Sequence, residues 1–243
     1  MTRTAIVTGA SKGIGFATAL RFIEKGWRVI SCARGPAPDA FSDEDLWIEH
    51  VSVDLTNSEG LESFVTRVID LLGADGLDAL VNNAALSPKS DYLERLGCLN
   101  GDISGWKSVF ELNFFVPLSL SRGFAGCLHK KKGAIVNITS IAGHTLHPFA
   151  GSAYATSKAA LSALTREMAN EFAELNIRVN AVAPGEISTG MIGPEYATLI
   201  PRIPLNRLGS AAEVASVVYR LCDQEFAYVT GSEVFVTGGQ HLS

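Results

Sequence analysis

Cysteine is scarce and scattered. The four thiols, Cys32, Cys98, Cys127 and Cys222, form no CxxC pair. That excludes zinc-ribbon spacing and the cysteine density of a disulfide-stapled secreted domain, and leaves buried or half-buried free thiols as the expectation. No run of about 18 apolar residues occurs, so no membrane-spanning helix is expected. Basic residues are not in excess: 20 Lys and Arg stand against 25 Asp and Glu, for a net charge of -5. A general nucleic-acid-binding surface is thereby excluded, although a local basic pocket is not. The first residues carry no charged n-region with an apolar core and cleavage site, and run directly into a strand-like segment at 4–8; a cytoplasmic protein is the expectation. No Pro-, Gly- or Ser-rich linker divides the chain and no repeat of fixed period is present, so residues 1–243 are read as one domain.

What is present is apolar and periodic. Hydrophobic residues make up 47% of the chain and charged residues 19%, enough to bury a large core. β-branched apolar runs at 4–8, 27–33, 47–54, 77–81, 134–139, 177–183 and 233–236 read as strands covered on both faces. Amphipathic stretches at 14–25, 58–72, 102–129, 153–175 and 211–222 read as helices between them. The alternation predicts an α/β fold: a Rossmann-type, doubly wound parallel sheet of about seven strands with helices on both faces. Two segments fit no regular element, 85–101 and 185–210, and the second is the expected substrate loop.

The first strand ends in Thr8-Gly9-Ala10-Ser11-Lys12-Gly13-Ile14-Gly15 and a helix follows at once. Glycines permit the tight turn and the close approach of a ligand, and the helix start offers free N–H groups to a pyrophosphate. A dinucleotide site is expected there. The second strand ends Ser31-Cys32-Ala33-Arg34. An NAD site usually carries Asp or Glu at this place; the small neutral Ala33, with Arg34 and Lys12 as cations for a 2′-phosphate, points instead to NADP(H), with NAD(H) as the alternative.

Ser140 closes the fifth strand, and Tyr154 and Lys158 follow at i, i+4 spacing, on one helix face. A free phenol, with a pKa of about 10, is a poor acid or base at neutral pH. A neighbouring ammonium stabilises its anion and makes it usable in general acid/base catalysis, with Ser140 holding the substrate oxygen.

With these motifs in order, the sequence resembles the classical short-chain dehydrogenase/reductase family over essentially its whole length. Thr8–Gly15 is similar to the family's TGxxxGxG, and Asn82-Asn83-Ala84-Ala85 to its NNAG. Ser140, Tyr154 and Lys158 match its catalytic positions, and Asn113 the Asn of the long helix. Pro184, Gly185, Ile187 and Thr189 match its PGxIxT. The resemblance implies that Gly9, Ser11, Lys12, Gly13, Ile14, Gly15, Arg34, Asp54, Leu55, Asn82 and Ala84 bind the cofactor. Asp54 would meet the adenine, and Ile187 and Thr189 the carboxamide. It also implies that Tyr154 donates a proton to a carbonyl while the reduced nicotinamide donates hydride. Lys158 would bind the ribose and assist Tyr154, and Asn113 would hold a relay water. The small-molecule substrate is a carbonyl/alcohol pair. A homotetramer is implied, with the helices at 102–129 and 153–175 packing between subunits and Ala155, Ala159, Ala160 and Ala163 as a small-residue surface.

Departures and alternatives accompany the resemblance. Ala85 replaces the last Gly of NNAG, and the interval from Ser140 to Tyr154 is one residue longer than the commonest spacing. His144 and His147 in that interval look like HxxH but have no third ligand, so no metal is expected and they are read as pocket-rim residues. Met191, Ile192, Tyr196, Leu199 and Ile200 are the expected apolar lid. Still open are a 3-oxoacyl-(acyl-carrier-protein) reductase, with Lys130–Lys132 and Arg166 meeting an acidic carrier, and an NAD-dependent alcohol or polyol dehydrogenase. A nucleotide-sensing protein without activity is the reading from a different class.

Overall fold

The computed structural model describes residues 2–39, 45–89, 95–190 and 193–242. In chain order the elements are β1 (Thr4–Thr8), α1 (Gly13–Glu24), β2 (Arg28–Ala33), β3 (Trp47–Ser52), α2 (Ser58–Leu72), β4 (Ala79–Asn82), α3 (Ile103–Phe110), α4 (Val116–Gly123) and α5 (Ala125–Lys131). They continue with β5 (Ala134–Ile138), α6 (Ser152–Phe172), β6 (Arg178–Pro184), β7 (Ile187–Ser188), β8 (Gly209–Ser210), α7 (Ala211–Cys222) and β9 (Glu233–Val236). Seven strands form one sheet in the order β3-β2-β1-β4-β5-β6-β9, every neighbouring pair parallel. β7 and β8 pair separately. Chain direction across the sheet reverses between β1 and β4, and the crevice beyond the carboxyl ends of these strands is where such sheets bind ligands.

Burial follows the period of the strands. Ala5, Val7, Val136 and Ile138 face α1 and α7, with Phe22, Val214 and Val218. Ile6 and Ile135 face the other layer, with Phe64, Leu120, Met168 and Phe172. Both faces are dry, which is why these strands are continuous apolar runs rather than alternating ones. One polar strut crosses the second layer. Asn82 donates to Asn137 Oδ1 (2.8 Å), and Asn137 donates to Thr165 Oγ1 (2.9 Å). All three are buried, so the strut fixes the ends of β4 and β5 against α6.

The predicted helix at 102–129 is three helices. A π turn, Glu111–Phe115, separates α3 from α4, and a break at Phe124 separates α4 from α5. Pro117 is the local cause of the first irregularity, because it has no N–H for the carbonyl four residues earlier, at Asn113. The third strand stops at Ser52, short of the predicted 54, because Asp54 turns the chain by accepting from Thr56 N (3.0 Å). The segment 185–210 is not wholly irregular: it is pinned at its base by β7 and β8 and carries a 3-10 stretch, Pro194–Arg202. Cys98 is exposed, unlike the other three thiols.

A close backbone approach sets the geometry of the site. The 3-10 turn Ile141–Gly143 follows β5 and lies on α6. A Cβ on Gly143 would come within 2.8 Å of Ala159 N and 3.0 Å of Lys158 C. Gly143→Ala is therefore expected to destabilise the fold by about 1–3 kcal/mol, because main chain cannot retreat as a side chain can. Gly126→Ala, in α5 with nothing within 4 Å of its Cβ, is expected to be neutral or stabilising. Chemical denaturation of the two variants checks the contrast, and equal losses would contradict it.

Candidate active site

The glycine turn is fastened from below by β4. Thr8 Oγ1 accepts from Asn83 N and Ala84 N (3.0 Å each). Asn83 Nδ2 donates to Thr8 O (2.8 Å) and Gly9 O (3.2 Å). A Cβ on Gly15 would sit 2.3 Å from Gly9 O and 2.4 Å from Asn83 Nδ2, so only glycine closes the turn. The helix it opens has no side-chain cap at Lys12, whereas α2, α3 and α7 are capped by Asn57, Asp102 and Ser210. The first N–H groups of α1 thus point out of a cradle that a side chain would fill, and this fits a pyrophosphate. Ser11, Gly13 and Ile14 are half-buried along the turn. Thr189 faces Gly13 across the cleft, 3.6 Å from where a Cβ on Gly13 would lie.

At the adenosine end Arg34, Lys12 and Asp54 are exposed. The Thr56 hydroxyl (2.7 Å) and main chain hold the Asp54 carboxyl below its usual range, with a smaller contribution from Arg34. His50 bridges Ser31 Oγ (2.9 Å) and Gly35 O (3.0 Å), and Ser52 Oγ donates to Arg34 O (3.0 Å). These bonds fix the path of the Arg34 turn. Two predicted cofactor residues have side chains directed inward: Asn82 belongs to the buried strut, and Leu55 packs under α2. Their main chain borders the cleft beside Ala84 and Asp54.

Ser140, Tyr154, Lys158 and Asn113 come together. Ser140 ends β5 and accepts from Ala142 N (3.2 Å), and its hydroxyl also bonds the Tyr154 phenol. Lys158 Nζ lies 5.7 Å from the centre of the Tyr154 ring and donates to Ile138 O (2.6 Å). Burial pushes the Tyr154 phenol up; the Ser140 bond acts against this, and the Glu186 carboxylate adds to it. Burial also brings the Lys158 ammonium down to about 7. Asn113 sits in the π turn, and its carboxamide is taken up by Leu86 N (2.8 Å), Leu86 O (3.0 Å) and Ser157 Oγ (3.0 Å). It ties the chain after β4 to α6.

The remaining wall follows β6. Pro184 and Gly185 lead to Glu186 and Ile187, both buried. His147 is not a rim residue as predicted: its side chain is buried and bonds Glu186 Oε1 at 2.7 Å. The carboxylate draws the imidazole inward. Tyr196 and Leu199 of the predicted lid are buried and Ile200 half-buried; Met191 and Ile192 lie outside the described residues. The Tyr196 ring packs on Phe149 (4.9 Å between centres) and His147 (5.9 Å). Lys89, paired with Glu195 (2.9 Å), covers its outer side. Burial, aided by Glu186, pushes the Tyr196 phenol up to about 12.

Residues 9–241 match the family described as enoyl-(acyl carrier protein) reductase. The chain belongs to the short-chain dehydrogenase/reductase family. It is 48% identical to protein FixR of Bradyrhizobium diazoefficiens over 99% of this chain and 87% of that one. It is 33% identical to a 3-oxoacyl-(acyl-carrier-protein) reductase of Vibrio cholerae, over 99% and 98%. The structure of an oxidoreductase from Brucella ovis, with a partially ordered NAD, is 41% identical and superposes with a TM-score of 0.82 over 98% of this chain and 100% of that one. Other solved members of the family hold NADH or NADP. Among the described residues no helix is long and apolar enough to cross a membrane.

Sequence reasoning did not single out Asn83, His50, Ser157 or Glu186 as individual site residues. Asn83 stands inside a motif read as a unit. Ser157 and Glu186 likewise stand inside motif segments, at positions whose residue type the motif leaves open, and are picked out only by their distant partners Asn113 and His147; His50 becomes visible only when β3 is brought beside β2.

The buried ammonium makes stability depend on pH. Lys158 falls from 10.5 to about 7 on folding, so between these values the unfolded chain binds a proton that the folded, cofactor-free chain does not. Stability contributed by this group therefore rises with pH across that window. Relative to Lys158→Met, the parent is expected to gain stability between pH 7 and 10, by up to about 4 kcal/mol. Urea unfolding of both proteins at several pH values measures the difference, and parallel curves would contradict the assignment.

Proposed function

We propose that this member of the family is an NADP(H)-dependent oxidoreductase that interconverts a carbonyl and a secondary alcohol, with Tyr154 as the general acid/base. The observation that carries the reading is the grouping of Ser140, Tyr154 and Lys158 after β5, beyond the same carboxyl edge of the parallel sheet as the uncapped start of α1. A nicotinamide held in this cleft would supply the hydride chemistry at the carbonyl carbon, giving hydride in reduction and taking it in oxidation. Ser140 holds the carbonyl oxygen against the Tyr154 hydroxyl, and Tyr154 gives that oxygen its proton. Lys158 takes ribose hydroxyls as acceptors beside Ile138 O, which favours its charged form and so assists Tyr154. Pro117 leaves the Asn113 carbonyl without its helical donor. The relay water is therefore assigned to the Asn113 main chain, the carboxamide being occupied. Thr189 and the Ile187 main chain would hold the carboxamide of the nicotinamide. The wall of buried Tyr196 and Leu199 with half-buried Phe149 suits a substrate with an apolar part. The exposed Ala159 and Ala163 on α6 support packing of α6 between subunits of a homotetramer, whose mass light scattering reads.

Tyr154→Phe keeps the ring and removes the acid. Turnover with a panel of ketones and 3-oxoacyl thioesters is expected to fall by at least about a hundredfold, with NADPH binding little changed. Retained turnover would remove Tyr154 from the mechanism. The same panel separates an acyl-thioester reductase from a general ketone reductase, and no turnover at all would favour the sensing role.

Cofactor choice rests on Ala33, Arg34 and Lys12. NAD(H) is the second reading, favoured by the NAD held by the Brucella ovis relative. If Arg34 pairs with a 2′-phosphate, Ala33→Asp with Arg34→Leu is expected to weaken NADPH by about ten- to a hundredfold and to strengthen NADH. High salt is expected to weaken NADPH more than NADH in the parent. Fluorescence titration at low salt decides, and equal affinity of the parent for the two would make NAD(H) the cofactor.

A further inference from the structure

The adenosine end of the cleft is built against an edge strand. β3 is the outer strand of the sheet and pairs with β2, and the regular ladder between them ends with Ala33 opposite Ser52. The chain beyond is nonetheless fastened carbonyl by carbonyl. Cys32 O accepts from Gly9 N (2.8 Å) and Ala10 N (3.3 Å) of the glycine turn, and Ala33 O accepts from Val53 N (2.8 Å). Past that point side chains of β3 take over from main chain: Arg34 O accepts from Ser52 Oγ (3.0 Å) and Gly35 O from His50 Nε2 (3.0 Å). A carbonyl only accepts, so Nε2 carries the hydrogen of this bond. His50 lies opposite Ser31 in the ladder. Gly35 is four residues further along, which in an extended strand would be about 13 Å away; the imidazole reaches it because the chain folds back toward β3. The ring itself is held at its other nitrogen, with Nδ1 2.9 Å from Ser31 Oγ, which also accepts from Trp47 Nε1 (3.2 Å). Ser31 is buried and His50 half-buried. Pro36, next in the chain, has no N–H with which to add an anchor.

We propose that His50 is a positioning residue for cofactor choice: its bond to Gly35 O folds the Arg34 turn back onto β3 and so holds the Arg34 guanidinium where it meets the 2′-phosphate of the adenosine ribose. The proposal rests on the reading that Arg34 takes that phosphate. Arg34 is exposed, and among the described residues its guanidinium makes no hydrogen bond or ion pair, so its place is set from its main chain. A long side chain on a loose turn loses both backbone and rotamer freedom when it meets an anion; with the turn pinned, the backbone part of that loss is already borne by the fold. A dinucleotide without the 2′-phosphate makes no use of the contact. The His50 bond therefore separates the two cofactors rather than strengthening both. Lys12 belongs to the glycine turn, which His50 does not hold, and its attraction for the phosphate is independent of this bond.

The test is calorimetric titration of the full-length protein with adenosine 2′,5′-bisphosphate and with adenosine 5′-monophosphate. The two probes differ in the 2′-phosphate alone and need neither turnover nor hydride transfer. Arg34→Ala is expected to lower the preference for the bisphosphate by about tenfold or more. His50→Ala is expected to lower it by about three- to tenfold, with affinity for the monophosphate kept within about twofold. His50→Gln places an amide N–H near the position of Nε2 and is expected to recover most of the preference. In the Arg34→Ala background His50→Ala is expected to change the preference no further, because it acts through Arg34. The proposal is overturned if His50→Ala leaves the preference at the parent value while Arg34→Ala lowers it, or if it weakens both probes equally, which is the mark of a merely structural role. It is also overturned if the His50→Ala loss persists without Arg34, or if Gln is as impaired as Ala. A preference unmoved by Arg34→Ala is a different failure, that of the Arg34 reading itself, and takes the proposal with it. Circular dichroism of each variant confirms that folded protein is being titrated.

Discussion

The site depends on how β1 and β4 are tied together where they end. The connections after these two strands leave to opposite faces, which opens the crevice beyond their carboxyl ends. At its floor the paired strands are pinned by Thr8 and Asn83, whose side chains bond each other's main chain. This pairing fixes where Gly9 lies, and Gly9 O in turn leaves no room for a Cβ on Gly15. The helix α1 can then start only in one direction, with its first N–H groups aimed into the cleft. Loss of any of these contacts would move a helix end, not merely a side chain.

The second half of the site is fixed by α6. One face of it carries Tyr154 and Lys158, and the turn after β5 lies directly on its backbone at Gly143. Ser140 is thereby placed by main-chain contact, and Asn113 through Ser157 fixes the same helix from the other side. A lysine buried this deeply costs stability, and burial brings its ammonium down to about 7 with Ile138 O receiving it. The fold bears that cost beside the Tyr154 ring.

Much of this is legible in the sequence because it is local. Strand and helix alternation, the turn at 8–15 and the Tyr154–Lys158 spacing are each contained within about one turn or strand, where period and residue type decide the outcome. The π turn ahead of Pro117 escapes such a reading, because apolar periodicity on both sides of it reads as one helix. What could not be read is what depends on distant strands meeting. The His50 bridge joins β3 to the end of β2, and the Asn82–Asn137–Thr165 strut joins three elements. His147 meets Glu186 across 39 residues of chain. By spacing alone HxxH suggests a shared ligand; in three dimensions His144 turns to Glu233 and His147 to Glu186.

The same pairing explains why the loop between Ser140 and Tyr154 has a wall-forming role. Its imidazole is held by two amides of its own loop and delivers one N–H to a carboxylate from beyond β6. The loop, the strand end and, through Gln240, the C-terminal turn are thus joined at a single carboxyl group. Removing the imidazole would leave Gln240 as a donor to it, whereas removing the carboxyl group would strand the imidazole N–H. Tyr196 packs on His147 and Phe149 of the same loop, so this junction also sets the surface on which the 3-10 stretch rests.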